Sequence, residues 1–223
     1  MHRDQYLMTA PELTAKLLVT DTGPLITLAT ADALGYLLYP GVPVHIPDAV
    51  LYEATVKSGS LGAENIVFWV QEHSDLVRPV VTQTYTNFQA LRALNPVHRE
   101  RDLGERAALE AIRYGISLAT WERAVLLTED DKAATLLVLP EDRQRLITMT
   151  TFDFLTGLEL AGRIASAEEV YKLAADAGRH ASRIAVLHAQ HKNAQAAVDK
   201  LLQPKGSHDK PGTLLESYPG IRQ

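Results

Sequence analysis

Apolar residues fall along this chain in short unbroken runs that alternate with stretches of three-to-four-residue spacing. Leu17, Leu18 and Val19 form a run too short for a helix and read as a strand buried on both faces, spanning 16–20. "VPVHIP" (42–47) alternates like a strand, "AVLLT" (124–128) reads as a further buried strand, and "RLITMT" (145–150) reads as a last strand. "DLVRPVVT" (75–82) is a fifth candidate, demoted to an edge because Pro79 has no N–H to give to a ladder. Between them lie helical patterns. "PLITLATADAL" opens on Pro24 and runs to about Gly35, and "PDAVLYEATVKS" opens on Pro47 and stops at Gly59. "GAENIVFWVQEH" (62–73) puts Ile66, Trp69 and Val70 on one face. "YTNFQALRAL" (85–94), "LGERAALEAIRYG" (103–115), "DDKAATLLVL" and "FDFLTGLELAG" follow as helices. "SAEEVYKLAADAG" opens with Ser166 and has Glu169 three residues on, a capping-box spacing.

Strand–helix alternation with buried strands predicts an α/β fold. The architecture expected is a three-layer α/β/α sandwich around a central parallel sheet. The domain spans 16–177, after an N-terminal extension at 1–15. Residues 178–202 read as one more helix, with Ile184, Leu187, His191, Ala194, Val198 and Leu201 at 3-4 spacing. That seam packs on its own domain or on a second subunit, which leaves a homodimer open. Residues 203–223 carry Pro, Gly and Ser and read as a flexible tail.

The chain has 223 residues, 46% hydrophobic and 22% charged, an ordinary globular balance that one good core can satisfy. It has no cysteine, so thiol nucleophiles, disulfides and thiolate metal sites are excluded. Its start, with Asp4 and Glu12 and no long apolar stretch, is a poor signal peptide, and no run is apolar enough to span a membrane. A cytoplasmic protein is expected. The net charge of −5 argues against broad non-specific nucleic-acid binding, but not against an enzyme whose acids cluster in one site.

The acids do recur in equivalent places. Asp21 follows the first strand, and Asp130 and Asp131 follow "AVLLT". Glu53 and Glu105 lie about one turn into helices that return to the same edge. In parallel α/β sheets that edge, outside the carboxyl ends of the strands, is where ligands sit. Converging carboxylates repel unless protonated or neutralised, and an all-oxygen set without Cys favours Mg²⁺ or Mn²⁺ over Zn²⁺.

"VTDTGPLITLA", "IPDAVLYEAT", "DLGERAALEAI" and "VLLTEDDKAA" resemble, in order, the four acidic motifs of PIN-domain proteins. The stretch "TTFDFLTGLELAGRIASAEEVYKLAADAG" is similar to that family's closing strand and helices. The resemblance covers 16–177. It implies an Mg²⁺- or Mn²⁺-dependent ribonuclease, commonly the toxin of a toxin–antitoxin pair, so that RNA and an antitoxin protein are the expected partners. Carried over by motif, the metal and catalytic acids are Asp21, Glu53, Glu105 and Asp130, with Asp131 as an alternative or additional ligand. The third motif departs from the family. A second acid two residues after the first is replaced by Ala107, the next acid being Glu110, and Asp102 is a substitute candidate.

In the mechanism this implies, Asp21 is the central ligand, Glu105 and Asp130 hold metal directly or through water, and Glu53 orients the attacking water or acts as general base. Thr22 or Thr128 hydrogen-bonds a carboxylate or the scissile phosphate. Arg92, Arg99, Arg101, Arg106 and Arg113 grip phosphates or an antitoxin's acidic tail, or form an ordinary solvated face. Plainer readings stand beside these: Asp21 as a helix cap, Glu105 as a complement to a helix dipole, Asp130 and Asp131 as a cap pair, His188 and His191 as a solvated or packed helix face. The rival functions are a non-catalytic interaction module with the same fold and a DNA- or structure-specific nuclease using the same acids.

Overall fold

The structure is a computed structural model and describes residues 17–56, 61–117, 123–129 and 145–179. Five four-residue strands form one sheet: β1 (Leu17–Thr20), β2 (Val44–Pro47), β3 (Val77–Val80), β4 (Ala124–Leu127) and β5 (Leu146–Met149). Their order is β3-β2-β1-β4-β5 and every pair is parallel. The helices are α1 (Thr22–Thr30), α2 (Asp48–Thr55), α3 (Ala63–Glu72), α4 (Gln83–Leu94), α5 (Leu103–Ser117), α6 (Thr151–Leu160) and α7 (Ala167–Asp176), with a 3-10 turn at Leu34–Leu38. The expected helix over "DDKAATLLVL" and nearly all of the expected C-terminal helix and tail lie outside the described residues.

The two-residue period of a strand builds the three layers. Leu18 of β1 and Val125 and Leu127 of β4 face one way and pack with Leu25 and Leu28 of α1, Leu155 of α6 and Val170 of α7. Leu17 and Val19 of β1, with Ala124 and Leu126 of β4, face the other way onto Ala108, Leu109 and Ile112 of α5. Both faces of the central strands are therefore covered, which explains why these strands read as unbroken apolar runs. Burying each such leucine contributes about 1.5–3 kcal/mol. A smaller cluster of Ala49, Phe88, Leu103 and Ala107 joins α2, α4 and α5, with Tyr52 and Tyr85 packed against it. As expected, Pro79 sits on an edge strand.

The first helix is shorter than its pattern predicts. It ends at Thr30 rather than near Gly35, because Asp32 takes a left-handed conformation (φ 55°). The Asp32 N–H bonds Ala29 O and the Ala33 N–H bonds Leu28 O, a Schellman closure. The sequence "TADA" carries no glycine or proline to announce that stop. Pro47 is the last residue of β2 and the N-cap of α2, not a residue of the helix itself.

Candidate metal centre

The strand order reverses at β1. From β1 the chain steps outward to β2 and β3, then crosses back to place β4 on the other side of β1. That switch falls at the carboxyl ends of β1 and β4, the usual ligand position in such sheets. Asp21 stands at this point. Its backbone N–H bonds Leu127 O at the end of β4 (2.9 Å), and its Oδ1 accepts the Thr22 N–H (2.7 Å), which makes it the N-cap of α1.

Three other elements close on Asp21. The Thr128 hydroxyl, just past β4, donates to Asp21 Oδ2 (3.4 Å). Glu53 comes from the second turn of α2, and its Oε2 accepts from the Thr22 hydroxyl (3.0 Å). The N-terminal turn of α5 brings Gly104. A Cβ on Gly104 would lie 2.7 Å from Glu53 Oε2, 2.8 Å from Thr22 Oγ1 and 3.2 Å from Asp21 Oδ1. Only a glycine lets the two carboxylates and the hydroxyl meet there. Glu105 follows in the same turn and is half-buried. The N-termini of α1 and α5 both face this edge, and their partial positive charges favour anions there.

Asp21 is only 8% exposed, and burial drives its carboxyl up from 3.8 to about 6. The Thr22 N–H and the Thr128 hydroxyl work against that rise, and the negative charges of Glu53 and Glu129 add to it. A buried acid beside another acid is what a cation relieves. The donors are all oxygen, which fits a hard divalent ion. Among the described residues no three acids or histidines converge on one point. Asp130 and Asp131, expected to complete the set, lie outside the described residues.

No family model matches the chain, and no curated protein or solved structure is detectably similar to it. The chemistry of this edge is therefore read from its own side chains.

Other acids in the expected motifs are used differently. Glu110 accepts from Gln83 N (2.6 Å), Thr84 N (2.9 Å) and Thr84 Oγ1 (2.7 Å), pinning the start of α4. Burial alone would raise its carboxyl, but these bonds and Arg106 outweigh it and the net shift is downward. Asp102 is exposed and left-handed (φ 54°), and its carbonyl accepts the Arg106 N–H where α5 begins. Asp48 holds Thr82 through its N–H (3.1 Å) and hydroxyl (2.7 Å), tying α2 to the start of α4.

The arginine run divides as well. Arg92 bonds the Tyr52 hydroxyl, and its guanidinium lies 5.8 Å from the Phe88 ring centroid. Arg106 pairs with Glu100. Arg99, Arg101 and Arg113 are exposed.

Two residues of this region were not singled out by the sequence patterns. Glu129 directly follows Thr128, and the signal was present: "VTD" at 19–21 and "LTE" at 127–129 are both strand end, threonine, acid. The strands pair with Thr20 opposite Leu127, so Thr128 is level with Asp21 and Glu129 lies one step beyond. Its partner is Arg179, for which the sequence carries no signal.

Proposed function

We propose that the chain is a PIN-type, Mg²⁺- or Mn²⁺-dependent ribonuclease acting in the cytoplasm as the toxin of a toxin–antitoxin pair. The observation that carries this reading is the meeting of Asp21 and Glu53 at Gly104, at the point where the strand order reverses. Asp21 and Glu53 would hold the cation, with Glu105 from the same α5 turn as Gly104 and Asp130 or Asp131 as further acids. When bound, the cation supplies charge neutralisation at phosphodiester oxygens and acidifies water.

The chain's own groups do the rest. Thr128 orients Asp21 and Thr22 orients Glu53. Glu53 takes the proton of the attacking water. The exposed Arg99 and Arg101, which precede α5, bind phosphates of a single-stranded or looped RNA.

The test is Mn²⁺ titration by calorimetry on wild type and Asp21→Asn, with RNA cleavage followed in the same samples. Binding and cleavage in wild type, both lost in the variant, are expected. Absence of Mn²⁺ binding in wild type ends the nuclease reading. It moves the assignment to a non-catalytic interaction module, which the lack of a third converging acid among the described residues favours.

A further inference from the structure

A partly buried ion pair reaches the first turn of α1 at Gly23. Glu129 is 9% exposed at its side chain and pairs with Arg179, whose Nη2 lies 3.2 Å from Glu129 Oε2. The same Nη2 donates to Gly23 O (3.1 Å) and Nε donates to Thr27 Oγ1 (3.0 Å). Thr27 in turn donates to Glu129 Oε1 (2.6 Å), and Thr151 donates there too (3.4 Å). Gly23 makes room for the carboxylate, since a Cβ on it would lie 2.9 Å from Glu129 Oε2.

Arg179 is itself fixed by the way α7 ends. Gly178 takes φ 98°, its N–H bonds Ala175 O and the Arg179 N–H bonds Ala174 O. This Schellman closure sets the direction in which the arginine leaves the helix.

We propose that Arg179 is a positioning residue for the candidate metal centre: by pairing with Glu129 it holds that carboxylate off the Asp21–Glu53 pair and so lowers the affinity of the site for a divalent cation. The proposal rests on the metal-centre reading above. Thr128 is level with Asp21 and Glu129 follows it, near enough for its charge to act on Asp21, yet among the described residues it is not one of a converging set of three. The forked guanidinium matches that carboxylate in charge and in geometry. The pair contributes little net charge to the site. Removing one member exposes the site to the other.

That arrangement demands opposite signs from two single substitutions. Arg179→Gln leaves an uncompensated carboxylate that can also turn toward the cation, and Mn²⁺ binding tightens about five- to tenfold. Glu129→Gln leaves an uncompensated guanidinium, and binding weakens by a similar factor. Glu129→Gln/Arg179→Gln restores neutrality and returns the affinity to within about twofold of wild type.

The experiment is Mn²⁺ titration by calorimetry on the full chain and these three variants, with thermal unfolding in EDTA as the check on folding. Weakening by both single variants, or no change in either, overturns the proposal. Where Arg179→Gln fails to fold because it strands a partly buried carboxylate, the double variant decides. Its affinity is expected to match wild type, and an affinity as low as that of Glu129→Gln overturns the proposal. If wild type binds no Mn²⁺, the metal-centre reading fails and the proposal falls with it. If wild type binds and the signs do not oppose, the proposal alone falls.

Discussion

Asp21→Asn should make the metal-free protein more stable, and by an amount that depends on pH. The side chain is 8% exposed, and its carboxyl titrates at about 6 instead of 3.8, chiefly because burial disfavours its charge. The folded state therefore holds the proton more tightly than the unfolded chain. The contribution of Asp21 to stability is complete below the unfolded value and is lost as pH rises through the folded one. Asparagine keeps an oxygen for the Thr22 N–H, and the Thr128 hydroxyl can turn to accept from its amide.

The shift of roughly two pH units is worth about 3 kcal/mol at pH 8 and about 0.5 kcal/mol at pH 4. For a chain of this size the pH 8 value corresponds to a Tm rise of about 6–10 °C. The assay is urea denaturation of wild type and variant in EDTA at the two pH values. Equal stabilisation at both, or destabilisation at pH 8, would refute the reasoning. Asp21 would then be an ordinary helix cap, whose loss costs about 1 kcal/mol.

Further outcomes follow from the same geometry. Gly104→Ala gains helix propensity of about 1 kcal/mol but drives a methyl into the oxygens of Glu53 and Thr22. Its fold should survive while Mn²⁺ affinity falls about tenfold or more, for a loss of at least about 1.4 kcal/mol. Unchanged affinity in the calorimeter would detach Gly104 from the site. Glu110→Ala removes the acceptor of three hydrogen bonds at the start of α4 and should cost about 1–3 kcal/mol near neutral pH. Because the folded carboxyl of Glu110 titrates below 4.5, its contribution is present above that value and lost as pH falls through the depressed one. The deficit of the variant in urea denaturation should therefore shrink in acid, and a constant deficit would mean that the charge plays no part.

Much of the architecture was legible because local physics repeats. The all-apolar runs at 17–19 and 124–127 had to be strands covered on both faces, and they are. Pro79 had to be at an edge, and it is. Ser166 had to cap the helix that follows it, and it does. The overrun of α1 had a local cause that sequence pattern cannot see: Ala31-Asp32-Ala33 continues a helix by propensity, and only the left-handed Asp32 stops it.

By itself, the chain determined the strands and helices of the described residues to within about a turn, that the sheet is parallel with its central strands buried, and that Asp21 ends up at its carboxyl edge. Period and propensity act over a few residues, and they suffice for that. Only the tertiary structure decided that β4 lies beside β1. That neighbourhood sets Thr128 against Asp21 and leaves Glu129 one step away, while the packing of α2 on α5 brings Glu53 to Gly104. Only the tertiary structure could pair Glu129 with Arg179, 50 residues further along the chain. Strand order and ion pairs between distant residues depend on how distant surfaces exclude water and balance charge together, and no short stretch of sequence carries that information.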